Sequence, residues 1–329
     1  MTFEEKLKKY TDSKVIPEKY SKLLQGFYDE YCNTLSRKGD SIENHREIFE
    51  ILVELVRDQC QHPFHFAHFH KGIRAPFDYY TFGIEFLRPI INYEENKTYG
   101  LEIFDQIEQQ LEEGHNAIFL ANHQIEADPQ AMSLLLERTH PKIAEEKIFI
   151  AGERVITDPL AVPFSLGCNL LCIYSKRYID HPPELQEQKQ LHNKKTMQIM
   201  SELLAEGGKV IYVAPSGGRD RQNAQGVVEL APFDAKSIEM MCLMAKKSKH
   251  PTHFYPLALK TYSLLPPPST IQTELGERRI IEGGGIKMAV VPEVDMNVFP
   301  GSDIKDKHER REKRALYIHN LVVEAYDTL

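Results

Sequence analysis

The 329-residue chain has no run of about 18 apolar residues, so no segment is expected to cross a membrane as a helix. It has no excess of positive charge. Its 40 Lys and Arg stand against 48 Asp and Glu, a net charge of −8, which excludes the broad basic field of a general nucleic-acid binder. The N-terminus, MTFEEKLKKY, lacks the apolar core of a signal peptide and mixes acids with its lysines, unlike a transit peptide. A cytoplasmic protein is therefore expected, soluble or peripheral at a membrane. Cysteine is scarce and scattered: Cys32, Cys60, Cys168, Cys172 and Cys242 are odd in number, which fits a reducing compartment. Cys168 and Cys172 are four apart, but no second pair completes a zinc site, and buried apolar thiols are expected instead. There is no internal repeat and no long low-complexity tract.

What is present is ordinary for a globular protein: 42% hydrophobic and 27% charged residues over a length that suggests two domains. Tyr20, Leu23, Leu24, Phe27 and Tyr31, and then Ile48, Ile51, Leu52, Leu55 and Val56, follow helical spacing, with RKGDSIENH as a break between them. From about residue 63 the texture changes to short apolar runs alternating with helical stretches. AIFLAN (117–122), KIFIAG (147–152), KVIYVA (209–214), HFYPLAL (253–259) and KMAVVPEV (287–294) read as strands, with residues 271–281 as a further candidate. QAMSLLLERTH (130–140) and NKKTMQIMSELLAE (193–206) read as helices, as does the charged tail from Asp303. The expected fold is α/β: an N-terminal helical bundle over residues 1–72 and a larger domain with a mostly parallel central sheet over residues 73–329.

Three short stretches carry candidate chemistry. NHQIEADP (122–129) follows a strand, where open α/β sheets place ligands. On one continuous helix, His123 and Asp128 would point roughly 140° apart, so they meet only if the chain bends between them. A carboxylate-held imidazole is a good general base, yet Asp128 before Pro129 is also a natural helix N-cap. VAPSGGRDR (213–221) ends a strand in Ser216 and two glycines, followed by Arg219 and Arg221. This suits either an anion cradle or a solvated turn, with Asp220 free to pair with a neighbouring arginine. Lys176 and Arg177 in IYSKRYI (173–179) are adjacent cations of the same kind. Two decoys are weaker. His62, His65, His68 and His70 lack the HExxH spacing of a metal helix, so no metal is expected, and Ser216 lacks the G-x-S-x-G elbow of a nucleophile.

Taken together, NHQIEADP, AGERVITDPLAVPFSLGCNLLCIYSKRYI and VAPSGGRDR resemble the soluble glycerol-3-phosphate 1-acyltransferases of the plastid and chlamydial type, an HxxxxD acyltransferase family. KGIRAPFDYYTFG and HFYPLALKTYSLLPPP extend the likeness across roughly residues 62–300. The resemblance implies transfer of a fatty acyl group from acyl carrier protein, or coenzyme A, to the sn-1 hydroxyl of glycerol 3-phosphate, with no cofactor. It implies His123 as general base, Asp128 as its partner, and Lys176, Arg177, Arg219 and Arg221 around the phosphate. Tyr178 stands where the family has a phosphate-contacting histidine, and a tyrosine cannot become cationic. Ser216 and Glu126 complete the candidate set. The alternatives are an HxxxxD enzyme acting on lysophosphatidate, and a non-catalytic scaffold that uses basic residues such as Lys194, Lys195 and HERREKR (308–314) to meet an acidic carrier or anionic lipid. HERREKR also reads as a plain solvated helix face.

Overall fold

The computed structural model describes residues 1–176, 179–268 and 275–329. Arg177, Tyr178 and the first part of the candidate strand 271–281 lie outside the described residues, and residues 275–281 form no strand. Three helices open the chain: α1 (Phe3–Asp12), α2 (Glu18–Arg37) and α3 (Arg46–Gln61). The expected break between α2 and α3 is present, with Gly39 at φ 75° just past the end of α2. The buried stripe of α2 keeps the expected Leu24, Phe27 and Tyr31, whereas that of α3 shifts toward Phe49 and Val53. The stripes run through Leu24, Phe27, Tyr31 and Leu35 in α2 and through Phe49, Leu52, Val53 and Val56 in α3. Phe49 turns α3, because its ring fills the gap between Phe27, Tyr31 and Phe86.

Strands and helices then alternate: β1 (Phe69–His70), α4 (Tyr79–Leu87), β2 (Lys97–Tyr99), α5 (Leu101–Glu112), β3 (Asn116–Ala121), α6 (Asp128–Leu136), α7 (Pro141–Glu146), β4 (Ile148–Gly152), α8 (Val162–Ser165) and β5 (Asn169–Ile173). They continue as α9 (Gln186–Glu206), β6 (Val210–Val213), a short ribbon of β7 (Arg221–Gln222) and β8 (Val228–Glu229), α10 (Ala235–Lys247), β9 (Thr252–Lys260), β10 (Lys287–Val290) and α11 (Lys307–Asp327). The main sheet has the order β1-β5-β4-β6-β3-β9-β10-β2. Its centre, β5-β4-β6-β3-β9, is parallel; β10 and β1 run antiparallel to β9 and β5.

Alternation along the strands builds two cores. Ile118, Leu120, Ile211 and Val213 face α9, α10 and α11, through Met200, Leu204, Ile238, Met241, Ile318 and Val322. Phe119, Ala121, Tyr212 and Leu257 face the opposite side, toward Phe104, Ile107, Met132 and Ile143 of α5, α6 and α7. A third core joins α1–α3 to α4, Ile125, Leu134, Leu160 and Ile281. The helical module therefore sits against α6 and its preceding loop. Tyr31 Oη donates to the carbonyl of Phe86 (2.8 Å) and Thr34 Oγ1 to that of Ile281 (2.9 Å). On the far side of α4 the backbone crossing is tight: a Cβ on Gly167 would lie 2.5 Å from Tyr80 N.

One buried charge sits at the start of β4. Lys147 is 4% exposed; its ammonium donates to the Ala144 carbonyl at 2.5 Å and to Ser133 Oγ. Burial pushes its pKa down to about 7. In the unfolded chain the same amine titrates near its ordinary value, so between about pH 7 and pH 10 the unfolded state binds the extra proton and stability rises with pH. Below pH 7 both states are protonated and the cost of burying the charge is fully present. Lys147→Met is expected to be more stable than wild type at pH 7, with the difference shrinking by several kcal/mol toward pH 10, at about 1.4 kcal/mol per pKa unit. Urea unfolding at the two pH values checks this; a difference that stays constant contradicts it.

Candidate active site

The carboxyl ends of the parallel strands converge on one region, as the sequence position of NHQIEADP suggests. β3 delivers His123, β6 the turn of Ser216–Arg221, β4 Arg154, β5 Lys176, and β9 Thr261. His123 and Asp128 do meet: Nδ1 and Oδ2 are 2.7 Å apart. Asp128 is not the helix cap expected from its place before Pro129. It lies in the first turn of α6, and the preceding Ala127 is the N-cap with no side-chain bond. Its carboxylate turns back instead, accepting from the backbone N–H of Gln124 (2.8 Å) and Ile125 (3.3 Å) and, on Oδ1, from Thr261 Oγ1 (2.6 Å). The reason is the tight loop, which leaves its own N–H groups facing inward, where burial demands an acceptor.

This network sets the histidine tautomer by inference. An ionised carboxylate only accepts, so His123 Nδ1 carries the hydrogen and Nε2 offers its lone pair. Nε2 has no hydrogen-bond partner among the described residues, and the side chain is 32% exposed, so a ligand can reach it.

Asp220, between the two arginines of GGRDR, pairs with neither of them through its carboxylate. It is buried, its backbone N–H donates to the His123 carbonyl (2.6 Å), and its carboxylate accepts from Asn122 Nδ2 (2.8 Å), Gln124 Nε2 (3.2 Å) and Ala231 N (2.9 Å). Burial raises its pKa, against the pull of these donors. Asp220 thus ties the histidine loop to the arginine turn. Asp220→Ala leaves several buried donors short of a partner and is expected to cost about 3 kcal/mol, at ~1–3 kcal/mol per orphaned group. A loss below about 0.5 kcal/mol in urea unfolding would fall in the range of an ordinary surface change and contradict this role.

Beside the pair lies a charged cluster. Arg219 Nη2 donates to Glu277 Oε2 at 2.7 Å, and Arg154 approaches the same carboxylate at 3.8 Å. Arg279 donates to Glu126 Oε2 (3.0 Å) and Asp158 Oδ2 (3.3 Å), and to the Glu277 carbonyl (3.1 Å). Burial alone would raise the Glu126 pKa; Arg279, Arg219 and Arg154 outweigh it and hold the carboxyl below its ordinary value. Burial likewise works against the charge on Arg219, but Glu277 and Glu126 override it and raise its pKa.

The other candidates are placed differently. Lys176 is exposed and bound to Asp234 (2.5 Å) and Ser237 Oγ (3.1 Å) at the start of α10. Arg221 begins the β7–β8 ribbon, and its Nη1 donates to the Asp220 carbonyl at 3.2 Å. Ser216 Oγ closes its own turn on the Gly218 carbonyl (2.9 Å) and is not held by a base. The four histidines of HPFHFAHFHK occupy separate environments: His62 and His65 are exposed, His68 meets Thr196, and His70 is buried on the Leu166 carbonyl.

An apolar cavity opens at His123 and Glu126. Phe149, Ala151, Leu170 and Tyr212 of the sheet line one side, Phe164 of α8 another, and Phe27, Phe86 and Leu87 the side toward the helical module. A carboxylate-held histidine, the buried guanidinium of Arg279 and an apolar cavity thus share one mouth. That suits the joining of a phosphorylated or carboxylated alcohol to a long apolar acyl group.

An acyltransferase family model matches residues 102–260, from α5 to the end of β9. Over 326 residues the chain is 39% identical to glycerol-3-phosphate acyltransferase ATS12, chloroplastic, of Cucurbita moschata, covering 98% of this chain and 70% of that protein. This chain belongs to the glycerol-3-phosphate acyltransferase family. Two further chloroplastic glycerol-3-phosphate acyltransferases are similar. That of Spinacia oleracea is 37% identical over 95% of this chain and 67% of its own length, and that of Arabidopsis thaliana 36% over 98% and 71%. Among solved structures, the 1-acyl-sn-glycerophosphate acyltransferase of Thermotoga maritima superposes with a TM-score of 0.43 at 17% identity, over 76% of this chain and 78% of that one. The family relationship takes in the helical module, since the matches to the chloroplastic acyltransferases span nearly the whole chain.

Sequence reasoning missed Arg154, Arg279, Asp158 and Glu277. Arg154 and Asp158 lie inside AGERVITDP, a stretch that carries the family likeness, and Glu277 and Arg279 inside residues 271–281, read only as a candidate strand. No spacing rule brings residues 154 and 279 together; only their ion pairs to Glu277 and Glu126 do so.

Proposed function

We propose that the protein transfers a fatty acyl group from a thioester of acyl carrier protein or coenzyme A to the sn-1 hydroxyl of glycerol 3-phosphate, giving 1-acyl-sn-glycerol 3-phosphate. The observation that carries this reading is the Asp128-held His123 beside buried arginines at the mouth of an apolar cavity.

In this mechanism the substrate phosphate binds to Arg219, with Arg154 and Arg279 adding positive potential. By resemblance alone, Lys176, Arg177 and Arg221 are assigned to the same phosphate, with Tyr178 as a further candidate contact. The phosphate takes the place of Glu277 on Arg219. The bound hydroxyl gives its proton to His123 Nε2 as its oxygen attacks the thioester carbonyl carbon. Asp128 stabilises the imidazolium that forms. The tetrahedral intermediate collapses, the C–S bond breaks, and the imidazolium returns the proton to the leaving thiolate. The acyl chain lies in the cavity between Phe149, Phe164 and the helical module. Glu126 acts through Arg279, by holding that guanidinium at the cavity mouth.

The test is acceptor choice. Purified protein and an acyl thioester are offered glycerol 3-phosphate, lysophosphatidate or glycerol, and the lipid product is identified. The proposal expects 1-acyl-glycerol 3-phosphate and little product from the other two; preference for lysophosphatidate would overturn it. Among the described residues no helix is long and apolar enough to cross a membrane. A cytoplasmic location belongs to this proposal, against relatives named as chloroplastic, and fractionation of the source cells decides it.

A further inference from the structure

A second concave site lies between the last turns of α10 and the first turns of α11, closed by Met296, Asn297 and Phe299. Its volume is about 340 Å³, within the roughly 300–1,000 Å³ of small-molecule sites. Five cations line it: Lys246, Lys307, Arg310, Arg311 and Arg314. A single carboxylate, Glu239, faces them, paired with Arg311 at 3.1 Å and with Arg314. Most of HERREKR is a solvated helix face, but Arg314 at its end is buried, only 8% exposed.

Two features show a positive site that its own chain leaves unneutralised. The buried Nε of Arg314 has no hydrogen-bond partner among the described residues, an unfavourable state for a buried donor. Lys307, Arg310 and Arg311 also sit in the first turns of a 21-residue helix, where cations oppose the helix dipole. An anion in the cleft relieves both. Asn297 and Ser302 add neutral polar groups to its lining.

The cleft is separate from the reaction site. Tyr326, near the other end of α11, accepts from Gln124 of the histidine loop (3.1 Å). Arg310 lies sixteen residues earlier on the same helix, about 24 Å along its axis at 1.5 Å per residue. We propose that this cleft is a second anion site, taking a phosphate group carried by a ligand other than the acyl acceptor. Planar guanidinium forks and several donors suit the three oxygens of a phosphate. Such a phosphate comes either from a small phosphorylated molecule or from a lipid headgroup; Leu243 and Val298 beside the cleft are exposed apolar residues.

The test uses the full chain and the double variant Lys246→Ala/Lys307→Ala. Both lysines are exposed and distant from His123, so turnover with glycerol 3-phosphate should stay at the wild-type level. Equilibrium dialysis with labelled inorganic phosphate is expected to find one phosphate per chain fewer for the double variant, or that phosphate weakened by about tenfold or more. Arg219→Ala should remove a different one. Equal number and affinity in wild type and double variant would overturn the proposal. Sedimentation with vesicles of phosphatidylcholine, with and without phosphatidylglycerol, separates the sources. Anionic vesicles that carry down wild type but not the variant identify a headgroup; lost phosphate binding without vesicle binding identifies a small phosphate. A failure of the acyltransferase reading would appear as absent turnover in both proteins and leaves this comparison intact.

Discussion

His123→Ala is expected to lower kcat by about 10²–10⁴-fold while the KM for glycerol 3-phosphate stays near wild type. The imidazole takes the hydroxyl proton only as the new C–O bond forms, so its loss is felt in the transition state and not in substrate binding. Asp128→Asn should lower kcat as well, for a separate reason. An amide oxygen in the place of Oδ2 can still accept from His123 Nδ1–H and from the N–H groups of Gln124 and Ile125, but it carries no charge. The imidazolium that forms in the transition state then loses the carboxylate that stabilises it. Initial rates across a range of glycerol 3-phosphate concentrations separate the two constants. Near-normal turnover in His123→Ala would remove it as the base; a raised KM with unchanged kcat would make it a binding residue.

The second large effect is expected at Arg219. Arg219→Ala should raise the KM for glycerol 3-phosphate by about 10- to 100-fold, since a charge-assisted hydrogen bond contributes roughly 1.5–3 kcal/mol and each 1.4 kcal/mol is tenfold. The kcat should change less, because the phosphate is held alike in ground and transition states. The variant also strips Glu277 of its nearest cation, so part of the loss could be structural. Glu277→Gln separates these causes. It removes the carboxylate that competes for Arg219 and is expected to lower the KM. Arg219→Lys keeps the charge without the fork and should fall between the two. An unchanged KM in Arg219→Ala would take that arginine out of the phosphate site.

Most of the central sheet was legible because β3, β4, β6, β9 and β10 are short apolar runs bounded by turn residues between helical stretches, whereas β5, β1 and β2 were not read as strands. The helical tail was legible from the same periodicity. Phase was harder to read: α3 carries apolar residues around more than one face, and which of them is buried depends on Phe49 meeting Phe27, Tyr31 and Phe86 from other segments. For the site, residues local in sequence were the readable ones. His123 and Asp128 meet across a five-residue loop, and Arg219 and Arg221 end a strand. Asp128 showed two compatible roles in sequence, and only its bonds to Gln124, Ile125 and Thr261 decide against the cap. Arg154 and Arg279 were hidden, since they stand 125 positions apart and meet only through folding. Asp220 was hidden in a different way. Between two arginines it reads as their partner, but its burial draws it to Asn122 and Gln124.

The most direct measurement is thiol release from an acyl carrier thioester by the purified protein, followed in single-turnover amounts with and without glycerol 3-phosphate. Direct transfer to a hydroxyl activated by His123 predicts no release until glycerol 3-phosphate is added, then one thiol for each molecule of 1-acyl-glycerol 3-phosphate formed. A burst of thiol in its absence, with the acyl group left on the protein, would contradict it.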